Sequence, residues 1–147
     1  MPVANLRLTS PDVRDGERIG DVYAGQHAAS EPELVVDGVP DGAVELAIVC
    51  HDPDAPMPHG FTHWTWYGLD ASDGPVPASA GRPGPNDDGG MGYVGPFPPP
   101  GHGTHRYYFW VYALSRAVEG EPSRGEFLDR YADAVVEQAR LVGTFSR

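Results

Sequence analysis

Gly95-Pro96-Phe97-Pro98-Pro99-Pro100-Gly101-His102-Gly103-Thr104-His105-Arg106-Tyr107 runs directly into Tyr108-Phe109-Trp110-Val111-Tyr112-Ala113-Leu114. The first part is a stiff loop, because proline locks φ and glycine lets backbone approach a neighbour closely. The second part, Arg106 to Leu114, is aromatic and β-branched, the composition of a long strand. Strand period puts His105, Tyr107, Phe109 and Val111 on one face. A histidine and a tyrosine therefore emerge together where the loop enters the sheet.

Working outward, more runs read as strands. Asn5 to Thr9 alternates, Glu33 to Val36 is short and apolar, and Val44 to Cys50 is the clearest buried strand. Phe61 to Tyr67 is another. Alternation puts His63 with Phe61, Thr65 and Tyr67, and assigns Trp64 and Trp66 to the face of Arg106, Tyr108 and Trp110. Asp70 to Gly92 is a polar Gly/Pro/Asp loop, long enough to be functional or mobile. Ser123-x-x-Glu126 is a capping-box signature. Phe127, Tyr131, Val135, Gln138 and Val142 follow at helical spacing, and Gly143 suits a C-terminal stop. The expectation is a mostly β, sandwich-like single domain over residues 1–147 that ends in a helix.

Composition narrows the function classes. Hydrophobic residues make up 40% and aromatics 10%, which fits a folded globule despite 19 glycines and 16 prolines. The net charge is −11, which argues against nucleic acid and against attraction to anionic membrane surfaces. All ten cations are arginine. High-GC coding and a salt-rich cytoplasm, where screening relaxes repulsion on an acidic surface, both fit that usage. Cys50 is the single cysteine, so no intrachain disulfide is expected, and its strand context reads as a buried, inert thiol. No signal-like leader or membrane-length apolar run is visible, and a cytoplasmic protein is expected.

Two loops carry the candidate chemistry. Asp52-Pro53-Asp54-Ala55-Pro56 precedes His63-Trp64, and the Gly95-Pro96 loop precedes His105-Arg106-Tyr107. A carboxylate favours the charged form of a neighbouring imidazole, which then donates from both nitrogens. Asp52 with His63 or His105 is thus a candidate anion site, with Tyr107 as a hydroxyl donor and loop amides as uncharged donors. In a bland reading, the aspartates cap a turn. His51, His59, His102 and His27 read as exposed polar residues. His59-x-x-x-His63 has helical metal-ligand spacing, but the segment reads as loop then strand, and no partner motif completes a site. A small hydrolase using the His/Asp cluster, with or without a metal, is the alternative. It lacks a Gly-x-Ser-x-Gly nucleophile.

These fragments, with the tail Ala139-Arg140-Leu141-Val142-Gly143-Thr144-Phe145, stand in one order over nearly the whole chain. Together they resemble the phosphatidylethanolamine-binding protein family in its short prokaryotic, Raf kinase inhibitor-like form. The chain departs from that pattern at Ser30-Glu31-Pro32-Glu33-Leu34, where prokaryotic members carry a Ser-Pro-Pro-Leu-like segment. The resemblance implies a large antiparallel Greek-key central sheet, a smaller second sheet and peripheral helices. It also implies a pocket for anions and phosphoryl groups, built here from Asp52, Asp54, His63, Gly95, Pro96, His105 and Tyr107. No cofactor and no metal are implied. The expected partners are a small anionic or phosphorylated ligand and an unidentified kinase or protease.

Overall fold

The computed structural model describes residues 5–25 and 30–147; the reading of His27 lies outside them. The elements are β1 (Arg7–Thr9), β2 (Val35–Asp37), β3 (Glu45–Asp52), β4 (Phe61–Leu69), β5 (Gly74–Pro75), β6 (Arg82–Pro83), β7 (His105–Leu114), α1 (Arg124–Tyr131) and β8 (Val135–Phe145). A five-stranded sheet has the order β6-β4-β3-β7-β8, and a three-stranded sheet the order β1-β2-β5, all pairs antiparallel. The three strongest sequence strands therefore lie side by side at the centre of one sheet. The long Asp70–Gly92 segment is tied down twice, through β5 to the small sheet and through β6 to β4.

The main core lies between the sheets. It joins Leu8, Leu34 and Val36 with Leu46, Ile48, Cys50, Trp64, Trp66, Tyr107, Phe109 and Val111. The opposite face of the large sheet carries Ala47, Val49, Tyr67, Tyr112 and Leu114, covered by Phe127 and Tyr131 of α1. Trp64 and Trp66, stacked with centroids 4.9 Å apart, thus share the face of Tyr107 and Phe109 and not that of Arg106 and Tyr108. Alternation along β7 holds as read, with Tyr107, Phe109 and Val111 on one face. The phase between strands depends on register, which alternation alone does not give.

The helix starts as the sequence predicts. Ser123 Oγ accepts from the Glu126 amide, and Glu126 Oε1 accepts from the Ser123 amide. It ends after eight residues, however, and passes through a 3-10 turn at Ala132–Ala134. The predicted continuation through Val135, Gln138 and Val142 is instead β8, the edge strand beside β7. Val135 and Val136 are β-branched and favour the extended chain. Gly143 is not a helix stop. It lies opposite Tyr107, and a Cβ there would come within 2.6 Å of Ile19 Cγ1, so the glycine makes room for a core side chain.

Candidate functional site

The site lies at one end of the large sheet, where β3 finishes at Asp52 and β7 begins at His105. Register places it there. Cys50 faces Phe109 and His51 faces Tyr108, so Asp52, two residues beyond Cys50, shares the core-side face of Phe109 and Tyr107. On the other side of β3 the register breaks. Cys50 faces Trp64 while His51 faces Thr62, so β4 holds one extra residue, His63. A bulge of this kind re-aims a side chain. Strict alternation would send His63 to the Tyr67 face; the bulge turns it toward Tyr107, with ring centroids 5.1 Å apart, edge to face.

The bulge is clamped from outside. His63 Nδ1–H donates to the Val94 carbonyl at 2.8 Å, and the Val94 amide donates to the His63 carbonyl at 2.9 Å. One residue earlier, Thr62 exchanges bonds with Asp87 in the same way, its amide donating to Asp87 Oδ2 at 2.7 Å and its carbonyl accepting from the Asp87 amide at 2.9 Å. Asn86 folds that loop, its Oδ1 accepting from the amides of Asp88 and Gly90. Gly95 follows Val94 and donates its amide to the Gly25 carbonyl at 2.9 Å. A Cβ on Gly95 would lie 2.3 Å from the Tyr23 carbonyl oxygen.

The two aspartates of Asp52-Pro53-Asp54 grip successive residues of β7. Asp52 Oδ2 accepts from His105 Nδ1–H at 2.7 Å, and both side chains are only 3% exposed. Asp52 Oδ1 accepts from the Asp54 amide at 2.7 Å. Asp54 accepts from the Arg106 backbone amide at 2.8 Å and from its guanidinium at 3.0 and 2.9 Å. That guanidinium holds the Asp54 carboxyl below the usual carboxylate range.

These residues enclose a cavity of about 240 Å³. Asp52, His63, Gly95, His105 and Tyr107 line it, as the sequence reading expected. Asp54 and Pro96 do not. Asp54 is occupied by Arg106, and Pro96 is a buried link whose carbonyl accepts from the Gly25 amide. Phe97, Pro98 and Pro99 of the Pro-rich loop line the cavity too, the 95–101 loop being the rim that the sequence reading expected; Met57, Phe61 and Asp88 were not foreseen there. Met57 and Phe97 are nearly half exposed, and the Arg147 guanidinium lies over the Phe97 ring at 3.8 Å. The Pro-rich loop was the available signal for Phe97.

Charge on the wall is conditional. Among the lining residues there are carboxylates and histidines but no arginine. Burial holds the His63 imidazole below its ordinary range, against the opposing pull of the Val94 carbonyl and Asp52, so His63 is neutral at neutral pH. This weighs against His63 in the choice the sequence reading left open, His63 or His105, for the positive charge. Tyr107 is pushed up by burial first and Asp52 second, and stays a protonated hydroxyl. His51 is not the exposed residue expected; it is 7% exposed, with Nδ1 3.0 Å from Thr62 Oγ1. His59 and His102 are exposed. Among the described residues, no three His, Cys, Asp or Glu side chains gather as a metal site, and no helix is long and apolar enough to cross a membrane.

Residues 9–146 match the family model described as phosphatidylethanolamine-binding protein. A UPF0098 protein from Aquifex aeolicus is 36% identical over 98% of this chain and 90% of its own length. A Mycobacterium tuberculosis protein, provisionally named lipoprotein LppC, is 39% identical over 95% of this chain and 72% of its own. The crystal structure of Escherichia coli YbcL, titled a new member of the mammalian PEBP family, superposes with a TM-score of 0.85 at 26% identity, covering 97% of this chain and 98% of YbcL.

Proposed function

The chain belongs to the phosphatidylethanolamine-binding protein family, and from that premise we propose that it is a small-ligand-binding protein whose cavity takes an anionic group, with phosphate or a phosphoryl group as the ligand class. One observation carries the reading: the buried Asp52–His105 pair at 2.7 Å on the wall of the cavity. Asp52 fixes the tautomer of His105 by taking Nδ1–H, which leaves Nε2 as the nitrogen through which the ring can gain a proton. An anion entering beside that pair supplies a second negative charge, so binding and protonation of the site reinforce each other. Tyr107, protonated throughout, is a further donor. The collar of Met57, Phe61 and Phe97 would pack the remainder of the ligand and keep water from the polar floor.

Binding, not hydrolysis, is the activity proposed. The thiol next along β3, Cys50, faces the core, and burial pushes it well above its ordinary range, which leaves it no nucleophile. A kinase or protease partner bearing a phosphorylated side chain would meet the same mouth. Cytoplasmic residence is part of the proposal, and fractionation of native cells tests it.

The ligand class is tested by calorimetry with inorganic phosphate, sulfate and O-phospho-amino acids, alongside neutral analogues of equal size. The anions should bind, and Asp52→Asn should change their pH dependence. Equal binding of the neutral analogues would overturn the reading.

A further inference from the structure

We propose that His102 is a positioning residue for the site: it holds the far nitrogen of His105 and so allows the buried imidazole to carry charge. The inference rests on the anion reading above for its consequence, though not for its geometry. His102 sits between Gly101 and Gly103, whose φ angles of +75° and +89° are left-handed and turn the loop back on itself. The turn brings His102 Nδ1 to 2.6 Å from His105 Nε2, with ring centroids 4.9 Å apart. His105 Nδ1 is already given to Asp52. Both nitrogens of His105 are therefore committed, one to a buried carboxylate and one to an exposed histidine. His102 does not line the cavity.

Two ring nitrogens at that distance share one proton. Asp52 accepts on both oxygens, so His105 keeps Nδ1–H. With the pair uncharged, His102 Nδ1–H donates to the bare Nε2 of His105. One proton added at the exposed edge of His102 changes this. Its Nε2 gains the proton, the shared proton crosses to His105 Nε2, and His105 becomes the imidazolium. No other atom moves. Charged His105 then has Nδ1–H on Asp52 and Nε2–H on His102. His105 is 2% exposed with His102 in place, so His102 is its second acceptor, and a buried charged donor without one is costly. The other charged and titratable groups round His105 are Asp54 and Arg106, which neutralise each other, Asp88, His63 and Tyr107 on the cavity wall, and Arg147, whose carbonyl accepts from the Gly101 amide.

The test compares wild type with His102→Ala and His102→Asn. The Asn side-chain oxygen stands where His Nδ1 stands, so it can accept from His105 without itself titrating. At about pH 6, His102→Ala should bind sulfate about tenfold more weakly, the loss expected for one charged hydrogen bond, and His102→Asn should bind within about threefold of wild type. Unchanged affinity in His102→Ala, or an Asn variant as weak as the Ala variant, would overturn the inference. If sulfate binds to none of the three, the anion reading fails, and imidazole 15N spectra of the ligand-free proteins decide about His102. At the same pH, the His105 signals should move toward the neutral form in His102→Ala and stay near wild type in His102→Asn. His105 signals that do not differ among the three would refute the role.

Discussion

His63 and Val94 are bonded in both directions, side chain to carbonyl at 2.8 Å and carbonyl to amide at 2.9 Å. The pair converts a one-residue irregularity of β4 into a fixed wall of the cavity. It also joins the two sequence fragments that carry the candidate chemistry, since Val94 leads into the Gly95–Pro96 loop.

His63→Ala removes the donor and leaves the Val94 carbonyl unpaired in a half-buried setting. The expected loss is about 1–3 kcal/mol in urea unfolding, from the unpaired acceptor and the space left behind. An unchanged midpoint would show that the clamp is not holding the bulge.

Gly95→Ala should destabilise by about 1–3 kcal/mol, because its Cβ meets backbone at Tyr23 and Ala24 that cannot rotate away. Gly125→Ala is the control, with nothing within 4 Å of its added carbon and a place inside α1. It should be neutral or stabilising by up to about 1 kcal/mol. Equal melting temperatures for the two variants would contradict the tight approach at Gly95.

Ser123→Ala should cost about 1 kcal/mol by removing one half of the capping box. Thermal unfolding with an unshifted midpoint would argue that α1 is held by Phe127 and Tyr131 alone.

Stability should fall in mild acid, in part through His51. Burial first, then Arg124, pushes its folded value down to about 4 from an ordinary ~6.5. A depressed histidine means that the unfolded chain takes the proton more readily. Its contribution is present above the unfolded value and is lost as pH falls toward about 4. His63, lowered by burial, acts in the same direction. Melting temperatures of wild type and His51→Gln, compared from about pH 7 to about pH 4, should converge as pH falls. Parallel curves would remove His51 from the account.

The sheet was legible because its central strands are aromatic and β-branched over seven or more residues, and because turn residues bound them. Strand period puts His105 and Tyr107 on one face, but Asp52 stands on another strand, and only the family resemblance placed it beside them before the register was known. The bulge at His63 was not, since an extra residue leaves the local alternation intact on either side and shows only in the register. The end of α1 was misread because Val135, Gln138 and Val142 fit a helical spacing. The same segment also fits period two, with Leu141, Gly143 and Phe145 turned inward. Two valines in sequence favoured the strand, and pairing with β7 decided it. Asp88 and Met57 lie in turns, where no periodicity exists to place a side chain.

The central claim is that a proton taken up at the Asp52–His105 pair admits an anion to the cavity. Sulfate keeps its charge across mild acid, so its affinity reports the protein alone. Calorimetric titration of sulfate from about pH 8 to about pH 5.5, at fixed ionic strength, in wild type and Asp52→Asn, tests the claim most directly. Wild-type affinity should rise as pH falls, by at most about tenfold per pH unit for one coupled proton, and the Asp52→Asn profile should be flatter. A flat wild-type profile, or an Asp52→Asn profile of the same slope, would contradict it.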